Sequence, residues 1–180
     1  EWENPYYGFP QMIRFAFTPN ESSLQKIKQL KELGKTATLS ALLRPQSIDK
    51  DAAGNYKKFE NESEVCDLLR AIDGSQEDEN IFSFLNYDKI KQGEMCHHMV
   101  FVLPYRASCD AMQELITNNP DKFDNLSQYE IINIAGVDGN TLYPSVETIK
   151  SKIKRCERDG KKTITLTVNR MLTGNTVEEW

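Results

Sequence analysis

The second half of the chain predicts a doubly wound α/β fold, because three strand patterns alternate there with two amphipathic helix patterns. The apolar run 99–103, which Pro104 stops, is typical of a strand buried on both faces. Segments 129–135 and 163–168 are rich in β-branched residues and predict the second and third strands. Strands joined by helices form right-handed crossovers, so we expect a mostly parallel sheet with helices on both faces.

Two helices are expected between these strands. Ser108 is a candidate N-cap for the first, which should end at the Asn-Asn-Pro sequence of 118–120. Pro144 suits the first turn of the second helix, and Asp159-Gly160 predicts its end. Each helix carries one apolar stripe: Cys109, Met112, Leu115 and Ile116 in the first, and Val146, Ile149, Ile153 and Cys156 in the second.

The pattern changes near residue 95, and the first part, 1–94, is less regular. The alternation over 12–17 predicts an edge strand, and 24–30 predicts a helix. A capping-box pattern at 61–64 predicts the start of a further helix. The stretch 44–58 is rich in Asp, Gly, Asn and Lys, which predicts a long exposed loop or insertion.

The composition is typical of a globular, intracellular protein. Of 180 residues, 39% are hydrophobic and 9% aromatic, and no apolar run is long enough to span a membrane. The chain begins Glu1-Trp2-Glu3, without a start methionine or signal sequence, so we expect a piece of a longer cytoplasmic protein. The four cysteines lack C-x-x-C spacing and are predicted to be buried free thiols.

Two local patterns imitate chemical sites. Cys96-His97-His98 places three ligand types in a row, but neighbouring strand residues point to opposite faces and rarely meet at one ion. Gly34-Lys35-Thr36 matches the end of a P-loop, yet the first glycine of that motif would fall at Gln29. Gly34 is better explained as a helix C-cap.

No G-x-S-x-G sequence, which would mark a hydrolase nucleophile, is present. We therefore predict no catalytic residue, no metal site and no ATP hydrolysis by this chain alone.

Charge is distributed unevenly along the chain. The net charge of −5 argues against binding nucleic acid by bulk electrostatics. Basic residues nevertheless dominate 150–162, whereas 73–79 is acidic. The basic stretch has two interpretations: a solvated helix face or a surface that follows phosphates.

Three stretches of the second half together resemble a known family. Residues 98–112 read HMVFVLPYRASCDAM, residues 129–136 read YEIINIAG, and residues 163–180 continue from TITLT to a Thr-Gly turn and Glu-Trp. In order and spacing across 95–180 they resemble the second RecA-like lobe of superfamily 2 DEAD/DEAH-type helicases. The branch they resemble most is the motor subunits of type I and type III restriction enzymes. Asn169 and Asn175 depart from the family pattern.

This resemblance implies a three-layer, mostly parallel RecA-like fold of the P-loop NTPase type, with 95–180 as the lobe's core, ending before motif VI. It also implies a DNA helicase or translocase of a restriction-modification or related bacterial or phage defence system. ATP and Mg²⁺ would be cofactors of the complete protein, with most ligands outside this chain, and none is expected in the isolated fragment. The implied partners are double- or single-stranded DNA, the first RecA-like lobe, and methyltransferase or specificity subunits; no membrane is expected.

The resemblance also assigns residues. Those implied to bind nucleic acid are Pro104, Tyr105, Arg106, Ser108, Gly136, Thr167 and Arg170, and those implied to couple ATP are Thr173, Gly174 and Thr176. Each has a structural interpretation as well, since threonines favour strands, glycines favour turns and a surface arginine is usually solvated. The alternative function is a non-catalytic α/β module that binds a partner protein. The helicase interpretation and the partner-binding alternative both need the turns after the three strands to share one edge of the sheet.

Overall fold

The computed structural model describes residues 38–46, 57–75, 87–92, 94–136 and 138–168, together with Gln25, Lys28, Gln29 and Glu32. These last four residues are helical, as predicted for the region after Asn20. The strand predicted at 12–17 lies outside the described residues. Among the described residues the helices are α1 Leu39–Leu42, α2 Glu62–Asp73, α3 Tyr87–Lys91, α4 Arg106–Thr117, α5 Gly139–Leu142 and α6 Val146–Arg158. The strands are β1 His98–Val102, β2 Glu130–Asn133 and β3 Thr163–Thr167, and 3-10 turns lie at Pro120–Lys122 and Leu126–Gln128.

The described strands form one parallel sheet in the order β1, β3, β2. The chain leaves β1 through α4, passes over one strand position to β2, and returns through α6 to place β3 in the gap. Right-handed crossovers that step in opposite directions leave a sheet on opposite faces, so α4 and α6 should lie on different faces. The predicted α/β fold is thus confirmed, and it is consistent with part of a RecA-like domain.

Two separate apolar clusters show the helices on both faces. On one face, α4 packs against side chains of β1 and β3 in a cluster that includes Met99, Phe101, Met112, Leu115, Ile116, Ile164 and Leu166. On the other face, α6 packs against β2 in a cluster of Ile132, Ile134, Ile149 and Ile153. The alternation of side chains along β2 therefore contributes to both cores, since Ile131 packs on the first cluster and Ile132 belongs to the second.

The strand buried on both faces is β3, whose residues are all buried. We expected this of β1, and that prediction is wrong: its residues are only half-buried, and Val102 is 50% exposed. Within the described sheet β1 pairs only with β3, whereas β3 has a neighbour on each side. Strand order, which local hydrophobicity does not encode, decides which strand is central.

Polar side chains lie on the α6 face of the sheet, beside the apolar cluster. The ring of His98 contacts Thr163 Oγ1 through Nδ1 at 2.8 Å and Glu157 Oε2 through Nε2 at 2.6 Å. Two residues further along β3, the hydroxyl of Thr165 is buried and has no hydrogen-bond partner in the described part of the chain. This face of β3 thus carries one buried hydroxyl that is satisfied beside one that is not.

A buried carboxylate fixes the segment before β2. Asp73, the last residue of α2, is fully buried, and its carboxylate accepts hydrogen bonds from the backbone N–H groups of Asp124, Asn125 and Leu126 at 2.8, 2.9 and 2.5 Å. The side chain of Asn125 returns a hydrogen bond to the backbone oxygen of Asp73 at 2.8 Å. Backbone groups that burial would leave unpaired are satisfied in this way, so α2 is joined firmly to the sheet.

The helix predicted to open at 61–64 is confirmed as α2, but its cap differs from the prediction, and so does the start of α6. Asn61 is the N-cap of α2, but its side chain makes no capping hydrogen bond and donates instead to the backbone oxygen of Ala41 at 3.4 Å, so the predicted capping box is wrong. The second helix of the sheet region, α6, begins at Val146, after Pro144, and is capped by Ser145, whose Oγ accepts from the backbone N–H of Thr148. The predicted ends of α4 at 118 and of α6 at Asp159-Gly160 are confirmed.

Two further expectations are corrected in part. Three of the cysteines are buried free thiols as predicted, but Cys96 is exposed. The stretch 44–58 is not wholly a free loop, because Pro45 pairs with Phe59 in an isolated antiparallel bridge and Phe59 is fully buried. Residues 47–56 lie outside the described residues. No helix among those described is long and apolar enough to cross a membrane.

Candidate functional site

The loops that follow the three strands begin side by side at one edge of the sheet. The last residue of β1, Val102, is in register with Thr167, and Asn133 of β2 is in register with Leu166. Just beyond the strands, Leu103 N–H donates to Thr167 O at 2.7 Å. This edge, which we call the carboxyl rim, is the place where open parallel sheets bind their ligands. The sequence prediction that the turns share one rim is confirmed for β1 and β2 and for the end of β3.

Arg106 connects two of these loops. It is the first residue of α4 and is exposed at the surface. Its Nε donates to the backbone oxygen of Ala135 at 2.9 Å, and its Nη2 donates to that of Gly136, also at 2.9 Å. The guanidinium therefore spans from the loop after β1 to the loop after β2, across the end of β3. The resemblance implied that Arg106 faces nucleic acid, and these two contacts were not predicted from the sequence.

Beneath Arg106 lies a buried polar network that sequence reasoning missed. Asn133 Nδ2 donates to Asp110 Oδ1 at 2.9 Å and to Gln113 Oε1 at 3.1 Å, and its Oδ1 accepts from Gly136 N–H at 2.7 Å. Asp110 and Asn133 are 7% and 8% exposed. A signal was present, since Asn133 interrupts an otherwise aliphatic strand, but the sequence does not show that Asp110 lies opposite it.

Two glycines allow the loop after β2 to fold closely. A side chain at Gly136 would collide with the carboxylate of Asp110 and would lie 2.5 Å from Asn133 Nδ2. At Gly139 it would lie 2.6 Å from the backbone carbon of Ile134. Contacts this short do not occur for real Cβ atoms, so both positions require glycine for close approach of the backbone.

The other residues implied to bind nucleic acid occupy different environments. Tyr105 is the N-cap of α4 and is 42% exposed, and Pro104 is half-buried. Ser108 is fully buried and donates to the backbone oxygen of Leu43 at 2.6 Å, so it neither caps α4 nor reaches the surface. Thr167 is also buried, at the end of β3. Arg170, Thr173, Gly174 and Thr176 lie outside the described residues.

The Cys109 thiol, on the first turns of α4, is not a reactive nucleophile. Burial, and secondarily the neighbouring Asp110, raises the pKa of the Cys109 thiol to about 12, with Arg106 opposing the shift. The thiol is therefore protonated at neutral pH, when only a thiolate would attack a substrate. Within the described residues no three side chains of the His, Cys, Asp and Glu types are grouped to hold a metal ion.

A hydroxyl, imidazole and carboxylate do align at the opposite, amino-terminal edge of the sheet. Thr163, His98 and Glu157 follow the order of a nucleophile, a base and an orienting acid. Thr163 is fully buried in the central strand, however, so no substrate can approach its hydroxyl. The arrangement attaches the end of α6 to the sheet.

The basic stretch is partly neutralised by an acidic residue of β2. Glu130 accepts a hydrogen bond from Lys152 at 2.6 Å and lies 3.7 Å from Lys161. The Lys152 hydrogen bond lowers the pKa of Glu130, and the same contact raises the pKa of Lys152. Arg155 and Arg158 are exposed in the last turn of α6, where cations interact favourably with the helix dipole. These contacts favour the interpretation of this surface as a solvated, locally paired helix face.

An apolar depression adjoins the rim. Its volume is about 280 Å³, and it is lined by Leu39, Ser40, Leu43, Val102, Leu103, Pro104 and Val168. Leu39 is 61% exposed and Val102 50%. A larger polar depression of about 650 Å³ lies beside α2, away from the rim, with side chains of both charges along its walls.

Comparison with known proteins points to restriction-modification systems. The chain is 25% identical over 184 residues to a protein of Mycoplasma pneumoniae named "Putative type II restriction enzyme and methyltransferase RM.MpnORF110P C-terminus". The alignment covers 97% of this chain and 24% of that relative, so the chain spans about a quarter of the relative's length. No family model matches the chain, and no solved structure matches it. The similarity therefore indicates a relation to a restriction-modification protein.

Proposed function

We propose that the chain is part of a DNA-acting protein of a restriction-modification system and supplies the second RecA-like lobe of an ATP-dependent DNA helicase or translocase. The observation that carries this proposal is the carboxyl rim, where the loops after β1 and β2 are joined by Arg106 beside the end of β3. Similarity to a restriction enzyme and methyltransferase over nearly the whole chain supports the biological setting.

The rim offers groups suited to a nucleic-acid backbone. The loop after β1 leads directly into α4, a helix of 12 residues whose first backbone N–H groups and dipole favour a phosphate. Tyr105 adds an exposed side chain with a hydroxyl at the same place, and Arg106 holds the loop after β2 beside it. Such contacts fix the position of a strand and do not read its sequence, as a translocating protein requires. Ser108 and Thr167, being buried, would contribute through packing alone.

ATP would be bound in the complete protein between this lobe and a first RecA-like lobe, with Mg²⁺. The sequence after Val168 contains the residues assigned to that role, Thr173, Gly174 and Thr176, by resemblance alone. The part played by the described chain would be to hold the start of that segment at the centre of the rim. Hydrolysis of ATP at the rim would require groups from the first RecA-like lobe.

The test is DNA-stimulated ATP hydrolysis by the complete protein. We expect hydrolysis to increase when duplex or single-stranded DNA is added, and Arg106→Ala to weaken DNA binding at low salt. Arg155→Ala, an equal change of charge on the solvated face of α6, is the matched control and should have little effect. A complete protein whose ATP hydrolysis is absent, or indifferent to DNA, contradicts the proposal.

The apolar depression beside the rim favours a second candidate function, a non-catalytic module that binds a partner protein. Exposed Leu39 and Val102 are the kind of groups that a protein interface buries. The substitution Val102→Asp would then abolish association with methyltransferase or specificity subunits in co-purification. If association persists in that variant while DNA-stimulated ATP hydrolysis is present, the partner-binding candidate is rejected.

A further inference from the structure

The backbone of Gly136 is held from two sides. Its N–H donates inward to Asn133 Oδ1 at 2.7 Å, while its oxygen accepts from Arg106 Nη2 at 2.9 Å. The preceding carbonyl oxygen, of Ala135, accepts a hydrogen bond from Arg106 Nε at 2.9 Å. A loop held by an exposed guanidinium on one side and a buried amide on the other has little freedom to move relative to α4.

From these contacts we propose that Arg106, Asp110 and Asn133 form a positioning network that makes the loops after β1 and β2 move as one rigid body. In this arrangement Arg106 acts on nucleic acid through the loop that it holds, as a positioning residue, and does not bind phosphate directly. The mechanical part of the inference stands on geometry alone. Its consequence for DNA rests on the proposed function.

The buried pair determines which way the Asn133 amide faces. A carboxylate only accepts hydrogen bonds, so Asp110 Oδ1 must receive the amide Nδ2 of Asn133. That leaves Oδ1 as the atom that faces the Gly136 N–H. If the amide were reversed, two oxygens would face each other at the carboxylate and two donors would face each other at Gly136. Asp110 thus acts on the loop through the orientation of the Asn133 amide.

The guanidinium is the appropriate group for the outer contact. Its Nε and Nη2 donors are fixed in one plane and reach two successive carbonyls at equal distances of 2.9 Å. A lysine ammonium carries the same charge on a flexible chain and lacks this planar fork. Arg106→Lys therefore separates the two roles, because it preserves the charge and removes the paired geometry.

The first experiment measures amide hydrogen exchange in the 180-residue chain without DNA. We expect Arg106→Lys to accelerate exchange of the Gly136 amide by about tenfold, the effect of losing one charge-assisted hydrogen bond. Asp110→Asn, which frees the Asn133 amide to reverse, should accelerate the same amide. Arg155→Lys is the matched control and should leave it unchanged. Amides of the central strand β3 report whether a variant remains folded.

The exchange result decides the mechanical inference. Equal protection of Gly136 in wild type and Arg106→Lys, with β3 amides intact in both, overturns it. A double variant of Arg106→Lys with Asn133→Ala gives a second criterion, since two groups holding one loop should show non-additive effects. Strictly additive changes in exchange also overturn the inference.

The second experiment measures DNA binding by the complete protein as a function of salt. If Arg106 positions the loop, a lysine at position 106 does not restore DNA affinity. Arg106→Lys and Arg106→Ala then lose the same affinity, and the slope of log affinity against log salt concentration is the same as in wild type. Direct phosphate binding predicts the reverse, with affinity retained by lysine and the slope reduced by about one in alanine. A complete protein that binds no DNA overturns the proposed function and this DNA arm, while the exchange result still decides the mechanical inference.

Discussion

Two threonines of β3 provide a matched pair for testing how buried hydroxyls affect this fold. Thr163 and Thr165 are both fully buried, lie on the same face of the same strand, and are separated by one residue. The hydroxyl of Thr163 is paired with His98 Nδ1 at 2.8 Å, whereas that of Thr165 has no partner in the described part of the chain. Substitution by valine exchanges a hydroxyl for a methyl group of similar size and preserves the β-branched shape.

The expected free-energy changes have opposite signs. A buried hydroxyl without a partner costs about 1–3 kcal/mol, so Thr165→Val should raise the free energy of unfolding by about 1 kcal/mol. In a chain of this length that corresponds to a rise in Tm of about 2–4 °C. Thr163→Val removes a satisfied hydroxyl and leaves His98 Nδ1 unpaired, so it should lower the free energy of unfolding by about 1–3 kcal/mol.

Urea denaturation followed by circular dichroism measures both changes, and thermal unfolding gives the Tm shift. The slope of the unfolding free energy against urea concentration should be unchanged in both variants, because neither alters the surface exposed on unfolding. Comparable destabilisation by the two substitutions would refute the reasoning, since it would mean that the Thr165 hydroxyl is satisfied in solution.

Three further predictions concern charge, reactivity and backbone approach. The pKa of Glu130 is lowered in the folded state by its hydrogen bond from Lys152, so this pair stabilises above the unfolded pKa and its contribution is lost as pH falls through the folded pKa. With Glu130 34% exposed, Glu130→Gln should cost under about 1 kcal/mol at pH 7 and nothing at low pH in parallel denaturation curves. At pH 8 a maleimide should label exposed Cys96 and spare Cys109, whose pKa is about 12; equal labelling of the two in native protein would contradict the burial described. Gly136→Ala should lower the free energy of unfolding by more than about 1 kcal/mol, because its methyl group would overlap a buried carboxylate, and a neutral effect in thermal unfolding would show that the loop is looser than described.

Periodicity predicted the local elements of the second half well, because it reports which side of a segment is buried. The stripe of Ile149, Ile153 and Cys156 predicted α6, and all three side chains are buried. The alternation of strands and helices predicted a parallel sheet with helices on both faces, and β1, β2 and β3 confirm it. Helix starts were predicted less well, since Ser145 and Tyr105, and not Pro144 or Ser108, begin the two helices.

The candidate site was predicted by position but not by interaction. The resemblance placed Arg106 and Gly136 near one another at the ends of strands, and they do lie together on the rim. It did not reveal Asp110 and Asn133, which contribute no charge pattern or motif that can be recognised along the chain. Their importance comes from a contact between residues 23 positions apart, which exists only when α4 lies across β2.

The amino-acid sequence by itself determined the fold class, the order of the main elements in the second half and the place where their loops would meet. Apolar periodicity is a local property, and the alternation of strands with helices sets the direction of the strands. Tertiary structure alone decided that β3 is central while β1 is partly exposed, that Thr165 has a buried hydroxyl without a partner in the described chain, and that Arg106 holds the loop at Gly136. These features depend on which strands and helices become neighbours, and a neighbour brought close by folding leaves no mark in the spacing of residues along the chain.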